Sequence, residues 1–201
     1  MKNDFDSALE QRVGKIAIKY GIIYGEEKIL LIKTGLDGNI YGYKNKYLTI
    51  ANRVKEKYGY TVIVSDNPYD KSLGVYFGFN KDYLKYAIEA IKGMGLSDPI
   101  YLFAHSNGAL MSLQHAYKYP EIKKTLLINV PLYIFNTGTV NKCVEKYEAS
   151  RLTMVYGSED DSKKYFDRLK VKPVIIEGED HHFTKENIYD FKNLPEEYLL
   201  T

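Results

Sequence analysis

Short apolar runs alternate with helix-patterned stretches along the chain. Residues 28–32 (KILLI) are apolar without interruption. From about 44 to 58, Tyr47, Ile50, Ala51, Val54 and Tyr58 fall at i, i+3, i+4, i+7 and i+11, one face of a helix, and Gly59 is a stop signal. Residues 61–64 (TVIV) are short and β-branched, the composition of a buried strand. A loop rich in Gly, Asn and Pro spans 65–79. Asn80 is then placed to cap a helix whose face carries Tyr83, Ala87, Ile91 and Met94. Strand-like runs follow at 100–104 (IYLFA), 125–130 (TLLINV), 152–156 (LTMVY) and 173–176 (PVII). Between them lie a helix over 107–117 and a short helix holding Tyr165, Phe166 and Leu169. A final helix over 185–192 has Thr184 as its cap. Residues 13–24 alternate only partly and contain two glycines, which suits an antiparallel edge strand or hairpin.

Strands that alternate with helices imply βαβ units. The expected fold is α/β: a mostly parallel sheet covered by helices on both faces, a three-layer α/β/α sandwich. No repeat, low-complexity tract or linker divides residues 1–201, so one domain is expected.

Composition narrows the function classes. A net charge of +2 with lysines spread along the chain shows no basic stripe for nucleic acid. The single cysteine, Cys143, excludes an internal disulfide framework and a cysteine zinc cluster. Residues 1–11 lack the apolar core of a signal peptide. No apolar run approaches the roughly 20 residues of a membrane span. A cytoplasmic protein with no membrane span is expected. The 20 tyrosines, with no tryptophan, suit half-buried core edges.

The strongest chemical signal is Ala104-His105-Ser106-Asn107-Gly108, between an apolar strand and a helix. A serine on such a sharp strand-to-helix turn is pushed out at the C-terminal edge of the sheet as a nucleophile. Small residues are needed two before and two after it, where strand and helix come close. The alternative is a serine that only caps the helix.

A serine hydroxyl needs a base within hydrogen-bond reach. Of four histidines, His105 is turned away from its neighbour and His115 lies well into the next helix. His181 and His182 follow the last strand, on a loop leaving the same sheet edge. His181 is preferred, with His182 as the alternative. The base needs a carboxylate, and the loop after strand 152–156 offers Asp160, with Asp161 and Glu159 as competitors. The preceding strand ends in Asn129-Val130-Pro131 and offers no carboxylate until Glu145. Two backbone N–H groups are expected to face a developing oxyanion. One belongs to Asn107; the other, Leu36, lies in the glycine-rich loop after strand 28–32. Neither phosphate-loop motif is present, so no nucleotide cofactor is expected.

These residues resemble the α/β-hydrolase superfamily over 28 to about 183. The chain order Ser, Asp, His is the superfamily's, and Ala104 to Gly108 is similar to the A-x-S-x-G variant of small bacterial lipases. The resemblance implies an eight-stranded or slightly trimmed sheet and hydrolysis of an acyl bond without a cofactor. Where many members carry His-Gly at the oxyanion loop, this chain has Thr34-Gly35. The short interval before strand 152–156 leaves no room for a lid domain. The expected activity is that of a serine hydrolase, carboxylesterase- or lipase-like, cleaving an ester or thioester of a small-molecule acyl substrate through an acyl-enzyme. Acyl transfer, peptide hydrolysis or a non-catalytic partner-binding role on the same fold are the alternatives. Residues 65–79 and 133–139 are expected to rim the pocket.

Overall fold

A computed structural model of the chain describes residues 4–70, 75–76, 82–97, 99–134, 136–184 and 188–200. The strands are β1 (Ser7–Val13), β2 (Ile16–Ile23), β3 (Glu26–Lys33), β4 (Tyr60–Ser65), β5 (Tyr69–Asp70), β6 (Val75–Tyr76), β7 (Ile100–His105), β8 (Ile122–Ile128), β9 (Leu152–Gly157) and β10 (Val174–Ile176). The α-helices are α1 (Lys46–Tyr58), α2 (Tyr83–Gly93), α3 (Asn107–His115), α4 (Thr137–Val144) and α5 (Ile188–Tyr198). An eight-stranded sheet has the order β1-β2-β4-β3-β7-β8-β9-β10. Strands β4 to β10 in that order pair in parallel, while β2 is antiparallel to both β4 and β1.

Strand alternation explains the three layers. Along β3, Leu30 and Ile32 face one side and pack with Tyr47, Ile50 and Val54 of α1 and Phe191 and Leu194 of α5. Ile29 and Leu31 face the other and pack with Leu84, Ala87 and Ile91 of α2. Farther along the sheet, Leu127 of β8 and Met154 of β9 pack with Leu110 and Leu113 of α3 and Val140 of α4. Both faces of the sheet are therefore covered, which is why its strands read as continuous apolar runs. The fold is an α/β three-layer sandwich.

The N-terminal strands form a hairpin, with β1 on the edge showing strict in-out alternation. The short pair β5–β6 was not evident in the sequence. Nor was α4, whose TGTV start is poor in helix formers but is capped by the Asn136 side chain accepting from Thr139 N. Residues 161–168 form a 3-10 helix. Helix α5 continues past Pro195 to Tyr198, where the sequence pattern ended at 192. Its Glu196 is gripped by Arg53 and Lys57 of α1 at 2.7 and 2.6 Å. The expected cap at Asn80, and residues 185–187 at the start of the last helix, lie outside the described residues. Among the described residues no helix is long and apolar enough to cross a membrane.

Candidate active site

Six loops leave the C-terminal edge of the parallel strands β3, β4, β7, β8, β9 and β10 and meet at one place, the usual location of sites in such sheets. Ser106 alone separates β7 from α3, at φ 55°, ψ −124°. Such a backbone costs a non-glycine residue of order 1–3 kcal/mol. It is fixed by Ser106 N donating to Ile128 O at 2.8 Å and Leu110 N donating to Ser106 O at 3.0 Å. Close approach explains the small residue two positions on. A Cβ on Gly108 would lie 2.3 Å from Thr34 O, a backbone atom that cannot swing aside.

The structure brings three predicted side chains into one hydrogen-bonded chain. Ser106 Oγ lies 2.7 Å from His181 Nε2, and His181 Nδ1 lies 2.6 Å from Asp160 Oδ2. Asp160 is fully buried, and its Oδ1 accepts from Ser162 N at 2.6 Å. Burial works against its charge, but the hydrogen bonds from His181 and Ser162 outweigh burial and hold the carboxyl below its ordinary range. Glu159 and Asp161 are exposed on either side of it. His182 is exposed too, its ring packed edge-on at 5.0 Å from that of His181. His115 sits at the end of α3, beside Lys118 at 3.4 Å and away from these groups.

The acid and histidine loops cross because Gly157 has no side chain. A Cβ there would lie 2.2 Å from Glu179 O. Asn129, at φ 48° after β8, ties the crossing together. Its Oδ1 accepts from Gly157 N at 3.0 Å, and its Nδ2 donates to Asp180 O at 3.1 Å and His181 O at 2.8 Å. His105 Nε2 donates to the same His181 carbonyl at 3.0 Å. Burial, then Lys46, drives the His105 pKa well down, so the ring is neutral and its Nδ1 is free to accept from the Tyr47 hydroxyl at 3.4 Å.

On the opposite wall, Leu36 lies in the tight turn closed by Gly38 N donating to Gly35 O at 3.0 Å. Gly35 lies against the serine: a Cβ on it would meet Ser106 Cβ at 3.2 Å. Asn67 joins this turn to α3. Its N donates to Gly38 O at 2.9 Å and its Nδ2 donates to Asn107 Oδ1 at 3.0 Å. The Asn67 loop is itself held by Lys33, whose Nζ donates to Asp66 O under the Tyr83 ring. Burial pulls the Lys33 pKa down to about 7.

An open pocket of about 330 Å³ lies beside Ser106. Its wall includes Gly35, Leu36, Tyr43, Lys46, Tyr47 and His182, so its tyrosines come from the turn before α1 and from the first turn of α1. The loops expected to rim it contribute differently. Tyr133 packs near His181 with ring centroids 6.4 Å apart, while residues 71–74 and 77–79 lie outside the described residues.

Four residues of this arrangement were missed in the sequence: Lys33, Asn67, His105 and Asn129. A positive φ after a strand favours asparagine, so Asn129 closing an apolar run was the available signal. For the other three no local pattern distinguishes a buried hydrogen-bonding role from an ordinary polar position.

No protein-family model matches the sequence, and no curated protein matches it significantly. Solved structures do match. A lidless α/β serine hydrolase from Xanthomonas campestris superposes with a TM-score of 0.71 at 15% identity, covering 100% of this chain and 98% of that one. Est1E from Butyrivibrio proteoclasticus gives 0.66 at 16% identity, covering 92% and 94%. An α/β serine hydrolase homologue from Coxiella burnetii gives 0.67 at 15%, covering 96% and 97%. Between β8 and β9 the described residues hold only α4, a 3-10 turn and connecting loops, with no lid domain. In sheet order, strand direction and superposition, this chain is built on the α/β-hydrolase fold.

Proposed function

We propose that the protein is a serine hydrolase that cleaves an ester or thioester of a small acyl substrate through an acyl-enzyme. The observation that carries this reading is the chain Ser106–His181–Asp160, with contacts of 2.7 and 2.6 Å, starting from a serine held in a strained turn at the sheet edge. His181 Nε2 takes the Ser106 proton as Oγ attacks the carbonyl carbon. The carbonyl π electrons move to oxygen, and the N–H groups of Leu36 and Asn107 receive that charge. Collapse of the tetrahedral adduct breaks the bond to the leaving group, which takes the proton from His181. Water then repeats the sequence: His181 removes its proton, the hydroxide oxygen bonds to the acyl carbon, and Ser106 Oγ departs reprotonated. Asp160 keeps the proton on Nδ1 and stabilises the imidazolium.

The choice between adjacent histidines gives a direct test with 4-nitrophenyl acetate. His181→Gln is expected to lower kcat/KM by about 10⁴-fold, the usual cost of losing such a base. His182→Gln should stay within about tenfold of wild type, because its exposed ring packs on His181 and lines the pocket, while the Ser106 and Asp160 hydrogen bonds are made by His181. The reverse pattern in steady-state kinetics moves the base to His182 and refutes this assignment.

A further inference from the structure

We infer that Lys46 is the recognition group for a carboxylate on the substrate, so that the pocket beside Ser106 selects esters carrying a negative charge. The catalytic part of this statement rests on the hydrolytic reading above; the binding part does not.

Lys46 opens α1 and is only 4% exposed, yet it forms part of the same pocket wall as Ser106. A lysine at a helix start ordinarily runs its stem along the surface and leaves its ammonium in water. This one is drawn inward. Nζ donates to His182 O at 3.2 Å and stands 3.9 Å from the centroid of Phe191 and 5.4 Å from that of Tyr47. An ammonium has three donors, and the described residues supply one acceptor atom and two ring faces. Among the described residues no carboxylate forms an ion pair with it. Asp180, the anion that acts on it from a distance, is engaged by its own loop, accepting from His182 N at 2.9 Å and Thr184 Oγ1 at 3.1 Å.

A buried charge without a counter-ion is costly and would be expected to gain from one. Burial lowers the Lys46 pKa, but only to about 8, so the cation predominates at neutral pH. The pocket offers the open side from which a partner can arrive. Its lining fits one negative charge on a short chain: Tyr43 and Tyr47 provide apolar surface, and Lys46 is the cation on the wall. At about 330 Å³ the space is at the small end of ligand pockets, which suits a chain of a few carbons.

Two matched ester pairs test this without fixing in advance which end carries the charge. Mono-4-nitrophenyl adipate against 4-nitrophenyl hexanoate places the carboxylate on the acyl chain; 4-carboxyphenyl butyrate against phenyl butyrate places it on the alcohol. In one pair the wild type is expected to prefer the anionic ester by about tenfold in kcat/KM, the scale of one charge-assisted hydrogen bond. Lys46→Met should erase that preference and Lys46→Arg should restore part of it. Lys46→Gln, with thermal unfolding of each variant, guards against a folding defect. Independently of turnover, adipate binding to Ser106→Ala is measured by calorimetry and repeated with Lys46→Met added. Lys46-dependent discrimination in either kinetics or binding supports the proposal. Binding that depends on Lys46 in a protein with no turnover sinks only the hydrolytic reading. Turnover without charge preference, together with no Lys46-dependent binding, overturns this inference and leaves the hydrolytic reading standing.

Discussion

Replacing Ser106 with alanine is expected to lower ester hydrolysis by about 10⁴-fold or more while leaving the protein folded. The loss follows from the proposed chemistry, because the acyl-enzyme forms on Oγ and no other hydroxyl is hydrogen-bonded to His181 Nε2 among the described residues. The fold is expected to survive because the turn is held from the backbone, by Ser106 N on Ile128 O and Leu110 N on Ser106 O. Alanine keeps both contacts and loses one side-chain hydrogen bond, so stability should move by about 1 kcal/mol. Urea unfolding beside steady-state kinetics separates the two effects.

Asp160→Asn is expected to cost about 10⁴-fold in kcat. Asp160 is fully buried, with one oxygen on His181 Nδ1 and the other on Ser162 N. An amide of the same size can keep the Ser162 contact only by aiming its NH₂ at Nδ1. That favours the imidazole tautomer with its proton on Nε2, which cannot accept from Ser106. Asp161→Asn and Glu159→Gln should remain within a few-fold of wild type, since both side chains are exposed. An inactive Asp161→Asn beside an active Asp160→Asn would contradict this geometry.

The same carboxylate carries a pH signature. Its pKa is depressed in the folded protein, so its charge contributes stability above the ordinary carboxylate value. That contribution is lost as pH falls through the lower, folded value. In acid, Asp160→Asn should therefore show a shallower loss of stability than wild type when unfolding midpoints are compared from pH 6 downward.

The parallel strands were legible because they are buried on both faces and so are apolar throughout, as in β3 and β4. The positions of Ser106, Asp160 and His181 were legible for a related reason. Each follows such a run, and the C-terminal ends of parallel strands share one edge. Less was readable where tertiary contacts override local pattern. Helix α4 starts with residues of low helix propensity and is carried by its cap and by the burial of Val140 and Val144. Helix α5 runs through Pro195 because Phe191 and Leu194, and Leu199 just past its end, are buried against α1 and the sheet. The residues that hold the site together were hidden by their ordinariness. Asn67 and Asn129 sit in loops, Lys33 ends a strand, and Lys46 begins a helix among many solvated lysines. Their roles come from what lies across space: Asn107, His181, Asp66 and Phe191. The pocket lining was likewise sought in the loops after β4 and β8, whereas it includes Lys46 and Tyr47 at the start of α1, of which Tyr47 had been placed on the packed face of the helix.

The most direct test of the central claim is covalent labelling with a fluorophosphonate, read by mass spectrometry of the digested protein. The expected result is a single adduct on the peptide containing Ser106, formed in step with the loss of esterase activity, and absent from both Ser106→Ala and His181→Gln. An unlabelled Ser106 in folded wild-type protein, or labelling of the Ser106→Ala protein accompanied by full ester turnover, would contradict a serine hydrolase centred on this residue.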